Sequence, residues 1–190
     1  MKIKELAIKN RSYRRFWNDQ KIETETLREL IDLARLSPSA ANKQPLKFIL
    51  SNTDSRNALI YDHIAWAGYL KNWSGPIESE RPSAYIVILG DRGISDNFHC
   101  DHGIAAQSIL LGSVEKGLGG CIFGSIQRGK LKKELGLDND LDILLVIAIG
   151  KPKEHVQLET VANGGDIKYW RDDDQVHHVP KRKLDDIIIM

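Results

Sequence analysis

Three arginines crowd one short stretch near the start of the chain, in Arg11-Ser12-Tyr13-Arg14-Arg15. Guanidinium groups three and four positions apart, with a serine hydroxyl between them, can converge on one anion. A phosphate monoester, carrying about −1.5 to −2 charges, accepts forked hydrogen bonds from such groups. A second loop, Ser37-Pro38-Ser39-Ala40-Ala41-Asn42-Lys43-Gln44-Pro45, offers hydroxyl, amide and backbone groups between two prolines. It suits a hydrogen-bonding heterocycle or a sugar chain better than a phosphate. A third stretch, Gly119 to Ser125, is a glycine-containing turn with backbone N–H groups to offer. Together the three have the character of parts of one cofactor site.

Other motifs carry less. Gly117-Leu118-Gly119-Gly120-Cys121-Ile122 lacks the third glycine of a dinucleotide fingerprint and runs from helix to strand, the reverse of the required order. Neither a G-x-x-x-x-G-K-[ST] phosphate loop nor a G-x-S-x-G nucleophile elbow occurs. His99-Cys100-Asp101-His102 has no second ligand pair and reads as a solvated helix start rather than a metal site. His177-His178, beside the basic tail, could help bind an anion but reads rather as a surface pair. Cys100 and Cys121 form no C-x-x-C and read as half-buried small apolar residues.

The combination resembles the FMN-dependent nitroreductase family. An R-S-x-R-x-F element is matched by Arg11-Ser12-Tyr13-Arg14-Arg15-Phe16, and a P-S-x-x-N-x-Q-P element by Pro38-Ser39-Ala40-Ala41-Asn42-Lys43-Gln44-Pro45. A helix ending in G-L-G is matched at Gly117-Leu118-Gly119, followed by a loop over the flavin at Cys121 to Ile126. A basic P-K-R element is matched at Pro180-Lys181-Arg182. The order and spacing agree along essentially the whole chain. Three positions depart from the pattern. Asn10 stands where many members have a second arginine. Gly124 stands where a subset has an acidic residue, which leaves flavin N5 to the main chain. The stretch from Phe48 to Ala84 is too short for the helical insert of larger members.

The resemblance implies an α+β fold, a small and mainly antiparallel sheet flanked by helices, in an intertwined homodimer with two FMN sites at the interface. Arg11 and Ser12 would hold the phosphate, and Lys181 and Arg182 would close over it. Arg14 would reach the ribityl chain and the N1/C2 carbonyl edge of the flavin. Ser39 and Asn42, with Pro38, Ala40 and Gln44 of the same element, would line the ring from the other subunit. Phe123 and the backbone N–H groups near Gly124 or Ser125 would face N5. The implied activity is hydride transfer from NADH or NADPH through flavin N5 to an electron-poor small molecule such as a nitroaromatic or quinone. Hydride transfer between stacked rings requires no side-chain acid or base, so no catalytic residue and no metal is expected. Two other readings stay open: a flavin carrier without turnover, and another family reaction such as dehalogenation, dehydrogenation or flavin fragmentation.

The elements that must position these groups follow from periodicity. Ile3, Leu6 and Ala7 predict a short helix over 2–9, and residues 10–16 a loop. Leu27, Leu30, Ile31 and Ala34 define a second helix, capped by Thr26 with Glu29 or by Thr24, and ended by Pro38. Lys47 to Ser51 predicts a strand, and Thr53 or Asp54 the cap of a helix towards Trp66. Residues 71–83 predict a loop and Ala84 to Leu89 a strand. Asp101 to Lys116 predicts a helix of small residues terminated by Gly117 and Gly119. Gly120 to Phe123 is expected as a strand, Gly129 to Leu135 as a helix and Ile143 to Ile149 as a central strand. Residues 160–180 predict an irregular arm, and Leu184 to Ile189 a final strand.

Composition bounds the rest. With 190 residues, 42% hydrophobic and 28% charged, the chain is expected to fold as a single domain over 1–190, with 160–190 as a C-terminal arm. A net charge of +1 argues against a dedicated nucleic-acid binder. No apolar run approaches the ~20 residues of a membrane span, and the start has no apolar core of signal-peptide length, so a cytoplasmic protein is expected. The charge is unevenly spread: +5 over residues 1–16, −5 over 17–180 and +1 over 181–190. If the two basic ends meet, they make an anion site; charge alone leaves open a pair of solvated termini.

Overall fold

A strand that is apolar at every position can be satisfied only if both its faces and its hydrogen-bonding edges are covered. The computed structural model, which describes residues 1–162 and 164–190, places the Ile143–Ile149 run in this way. The strands β1 (Phe16–Trp17), β2 (Leu46–Ser51), β3 (Ala84–Asp91), β4 (Gly119–Phe123) and β5 (Leu141–Pro152) form one sheet. Its order is β1-β5-β3-β2, every pairing is antiparallel, and β4 and β1 follow one another along β5, against Val146–Gly150 and Lys151–Pro152.

Helices α1 (Ile3–Lys9), α2 (Thr24–Arg35), α3 (Asp54–Tyr61), α4 (Asp101–Glu115) and α5 (Arg128–Glu134) cover the sheet. Alternation along β3 divides the core. Ile86 and Ile88 pack with Leu27 and Leu30 of α2 and with Ala105, Ala106 and Ile109 of α4. Tyr85, Val87 and Leu89 face the other way, with Ile60 of α3, Leu131 of α5, Cys121 and Phe123. The small residues of α4 do what the pattern predicts, since Ala105, Ala106 and Ser113 are buried. Gly117, at φ +71°, ends α4 with bonds from its own N–H to Val114 O and from Leu118 N–H to Ser113 O. That left-handed turn favours glycine.

Several expectations are corrected. Neither Thr24 nor Thr26 caps α2; Glu23 precedes its first turn without a side-chain cap. The Thr24 hydroxyl instead accepts a 3.0 Å bond from Asn52 Nδ2 and ties the end of β2 to the helix. Helix α3 stops at Tyr61, short of Trp66, because the chain after it pairs with the segment beyond β4. Ala65 N–H donates to Ser125 O and Gln127 N–H to His63 O. The cysteines are not half-buried: Cys100 is exposed and Cys121 is buried, where burial raises its thiol pKa to about 11.

The C-terminal region departs furthest. Part of the expected irregular arm is a second sheet, in which β8 (His177–Lys181) lies parallel to β6 (Val156–Thr160) and antiparallel to β7 (Trp170–Arg171). Leu184–Asp186 is a single 3₁₀ turn, and no strand forms at Leu184 to Ile189. Among the described residues no sheet edge pairs with that run, and Leu184, Ile187, Ile188 and Ile189 stay exposed. No helix among the described residues is long and apolar enough to cross a membrane.

Gly120 supplies a test of how tightly β4 is seated. A Cβ there would lie 2.5 Å from the Ala148 carbonyl oxygen and 2.6 Å from a Leu110 methyl. Overpacking against backbone costs about 1–3 kcal/mol. Gly120→Ala is therefore expected to lower Tm by roughly 3–10 °C. Gly129→Ala, inside α5 with nothing within 4 Å of the new methyl, is expected to raise Tm slightly, because glycine is a poor helix former. Thermal unfolding followed by circular dichroism checks both.

Candidate cofactor-binding site

The segment after α1 crosses the sheet at β4, where Ser12 bridges Gly120. This places Arg11 and Ser12 at the mouth of a cavity of about 300 Å³ whose lining includes Arg11, Ser12, Arg14, Gln107, His177 and Lys181. His177, Val179 and Lys181 are alternate residues of β8 and so share one of its faces. The two basic ends of the chain do meet: Arg11 and Lys181 lie on one cavity.

Three cations and no carboxylate line this cavity. Arg11 donates from Nη2 to Ala7 O at 2.8 Å, while its buried Nε has no partner. Burial lowers the pKa of its guanidinium from the ordinary arginine value. Arg14 is 8% exposed. Its Nη1 donates to Ser12 O at 3.1 Å and lies 2.9 Å from His177 Nε2, and its guanidinium sits 4.5 Å from the Tyr169 ring centroid. Arg15, part of the same sequence cluster, does not join them. It makes a forked pair with Glu80 at 2.5 and 2.7 Å, and Lys153 reaches the same carboxylate at 3.0 Å. Those bonds pull the Glu80 pKa down to about 2.

The loop Pro38 to Gln44 lies elsewhere. Pro38, Ser39 and Gln44 line a separate hollow of about 160 Å³ with Phe48 and Asp101. Ala41, Asn42 and Gln44 all have φ near +50°, a region that costs non-glycine residues about 1–3 kcal/mol each. Asp101 supports this conformation: its carboxylate accepts from Ser39 Oγ at 2.6 Å and from Ala40 N–H at 3.0 Å, and Ser39 Oγ accepts from Gln44 N–H at 2.9 Å. Phe123 is buried against Trp66, with ring centroids 4.6 Å apart, while Gly124 and Ser125 are exposed beyond it. Arg182 points away from Lys181 into another hollow, beside Val161 and Asp186.

Sequence reasoning missed Asp101, Glu154 and Tyr169, and read His177 and His178 as surface residues. Asp101 lay inside a motif read only for metal. His99 is exposed, but Asp101 is 5% exposed, and among the described residues no group of three His, Cys, Asp or Glu is placed to hold a metal. His177 and His178 are not a surface pair. His177 is 1% exposed, and His178 bridges Glu159 at 2.8 Å and Asp172 at 2.9 Å. Glu154 and Tyr169 gave no signal, because their roles depend on contacts far away in sequence.

Residues 8–75 and 77–151 match the model of the nitroreductase family. The chain therefore belongs to that family, and its helices and antiparallel sheet are the fold that the resemblance implied. An Archaeoglobus fulgidus protein, provisionally named an NADH dehydrogenase/NAD(P)H nitroreductase, is 26% identical over 148 residues, 74% of this chain and 80% of that protein. The structure of a provisionally named nitroreductase in complex with FMN, from Desulfovibrio desulfuricans, superposes with TM-score 0.75 at 22% identity and covers 100% of this chain and 96% of that one. A nitroreductase family protein from Streptococcus pneumoniae gives TM-score 0.74 at 17% identity over 100% of both chains.

The site has a pH signature. His177 has its pKa lowered from 6.5 to about 4, first by burial and then by the charges of Arg14 and Arg171. Its neutral form is favoured on folding. The stability this contributes is complete above pH 6.5 and is lost as pH falls towards 4. The contribution of Glu80 is lost only below pH 4.5, towards 2. Between pH 6.5 and 4.5 the Tm is therefore expected to fall with pH, and His177→Gln is expected to flatten that slope. Calorimetric scans in half-unit steps measure it.

Proposed function

We propose that the chain is an FMN-dependent oxidoreductase that takes hydride from NADH or NADPH and delivers it to an electron-poor small molecule such as a nitroaromatic or quinone. The observation that carries this reading is the cavity in which Arg11, Ser12, Arg14 and Lys181 converge without a carboxylate, in a chain of the nitroreductase family. Its charge and its partnerless Arg11 Nε fit a phosphate-bearing cofactor. FMN, when bound, would supply the hydride-accepting and hydride-donating ring.

The protein's own part is binding, orientation and electrostatics. Arg11, Ser12 and Lys181 would hold the phosphate. Arg14 would set a positive charge at the ring edge where negative charge develops on reduction. The exposed main chain at Gly124 and Ser125 would offer N–H groups to the ring, with Phe123 behind it. The loop Pro38 to Gln44 lies apart from the cavity within one chain, so a second copy would have to bring Pro38, Ser39, Ala40, Asn42 and Gln44 to the ring. A homodimer also gives the exposed Ile187, Ile188 and Ile189 a surface to cover. Arg182 would reach the phosphate only after a rearrangement of the residues beyond β8.

Two outcomes are expected. The purified protein should be yellow, release FMN on acid treatment, and scatter light as twice 21.5 kDa. A colourless monomer that FMN cannot reconstitute would overturn the reading. Charge-assisted hydrogen bonds contribute about 1.5–3 kcal/mol each. Arg11→Ala is therefore expected to weaken FMN binding by about one to two powers of ten while leaving flavin bleaching by NAD(P)H near the wild-type rate at saturation. Arg14→Ala is expected to slow bleaching even at full occupancy. FMN titration and stopped-flow absorbance separate the two roles.

A further inference from the structure

Arg14 is held in an unusual way for a buried arginine. Such a side chain normally pairs with a carboxylate. Glu154, which touches the Arg14 main chain, is already committed: one oxygen accepts the Arg14 backbone N–H and the other accepts Arg171 Nη2 at 2.8 Å. Among the described residues the Arg14 guanidinium makes no ion pair. Its neighbours are the Ser12 carbonyl, the face of Tyr169 and the His177 ring.

The His177 contact fixes more than distance. A guanidinium can only donate. At 2.9 Å from Arg14 Nη1, His177 Nε2 must therefore present its lone pair. The ring is then neutral, with its proton on Nδ1, and Nδ1 has no partner among the described residues. Burial, and the charges of Arg14 and Arg171, oppose a second proton. The ring packs against Tyr169 with centroids 5.1 Å apart and sits on the cavity-facing side of β8.

We infer that His177 is the positioning residue for Arg14: an uncharged acceptor that fixes the guanidinium at the cavity wall and leaves its positive charge whole for the bound cofactor. A carboxylate in the same place would hold the group as firmly and cancel much of its field. An apolar ring would leave the field but not the position. The inference rests on the reading of this cavity as the FMN site, and it assigns to the C-terminal sheet a role in tuning the flavin as well as in anchoring phosphate.

The test combines one spectroscopic, one binding and one redox measurement. Two-bond ¹H–¹⁵N correlation spectra of the wild-type chain at pH 7, assigned by the signal lost in His177→Gln, are expected to show the neutral Nδ1–H form of His177. An imidazolium or an Nε2–H form overturns the proposal before any ligand is added. FMN titration and dye-coupled flavin potentiometry then compare three variants, each checked for wild-type circular dichroism. His177→Gln can place its amide oxygen where Nε2 stood, so its FMN dissociation constant is expected within about threefold of wild type, with the potential unchanged. His177→Phe keeps the ring and loses the acceptor; its dissociation constant is expected to rise roughly tenfold or more. His177→Glu is expected to give the lowest flavin potential of the set. Equal affinities and potentials for the Phe and Gln variants overturn the proposal and leave the cofactor reading intact. A wild-type chain that takes up no FMN overturns both.

Discussion

A carboxylate with no exposed surface has to be answered by donors on every side, and Glu154 is such a group: its side chain has 0% accessible surface. It follows the end of β5 by two residues and is answered from two directions. The backbone N–H of Arg14 comes from the first segment of the chain, and the guanidinium of Arg171 comes from the second sheet. Leaving a buried charge unpaired costs about 3–5 kcal/mol, so the two segments are drawn to one point. The cavity is what lies between them. Arg11, Ser12 and Arg14 come to it from one segment and His177 and Lys181 from the other, and the central sheet contributes Ile122 of β4.

The same logic separates the arginines of the N-terminal cluster, which look equivalent in sequence. Arg15 faces Glu80 and Lys153, so its charge is spent on tying β1 to the chain before β3. Arg14 turns inward and Arg11 stays half-buried at the cavity, where its Nε finds no protein acceptor. Adjacent arginines therefore take different duties: Arg14 lines the cavity and Arg15 is held outside it by Glu80. The Pro38–Pro45 loop carries a different constraint. Three non-glycine residues at positive φ are held there by the Ser39 and Asp101 hydrogen bonds and by the Gln44 side chain, whose Nε2 donates to Asn42 O and Oδ1 at 3.2 Å.

Much of this was legible in the sequence where a feature is local. The apolar Ile143–Ile149 run of β5, the β-branched and aromatic strand β3, the small-residue helix α4 and the Gly117 turn all follow from patterns within a few residues. The concentration of basic residues at both ends was visible too; that Arg11 and Lys181 share one cavity was one of two outcomes the charge left open. The features that were not legible depend on partners far along the chain. His-His-Val-Pro-Lys has weak strand propensity, and β8 exists because β6 and β7 flank it and because His178 is gripped by Glu159 and Asp172. The helix expected to run to Trp66 gives way to backbone pairing with residues 125–127. The expected final strand failed because a strand is defined by its neighbour, and among the described residues no sheet edge pairs with Ile187 to Ile189.

The placement of β8 also bears on how its register is protected. A slip of one residue would put His178 where His177 stands and Arg182 where Lys181 stands, an exchange of nearly like for like on the cavity side. Chemistry at the cavity would scarcely resist it. The opposite face would. Val179 would arrive between Glu159 and Asp172 in place of His178, leaving two neighbouring carboxylates with an alkyl group between them. The solvent-side histidine is therefore what makes a repetitive sequence unambiguous, and the fidelity of the cavity is guarded from the side of the strand that never touches it.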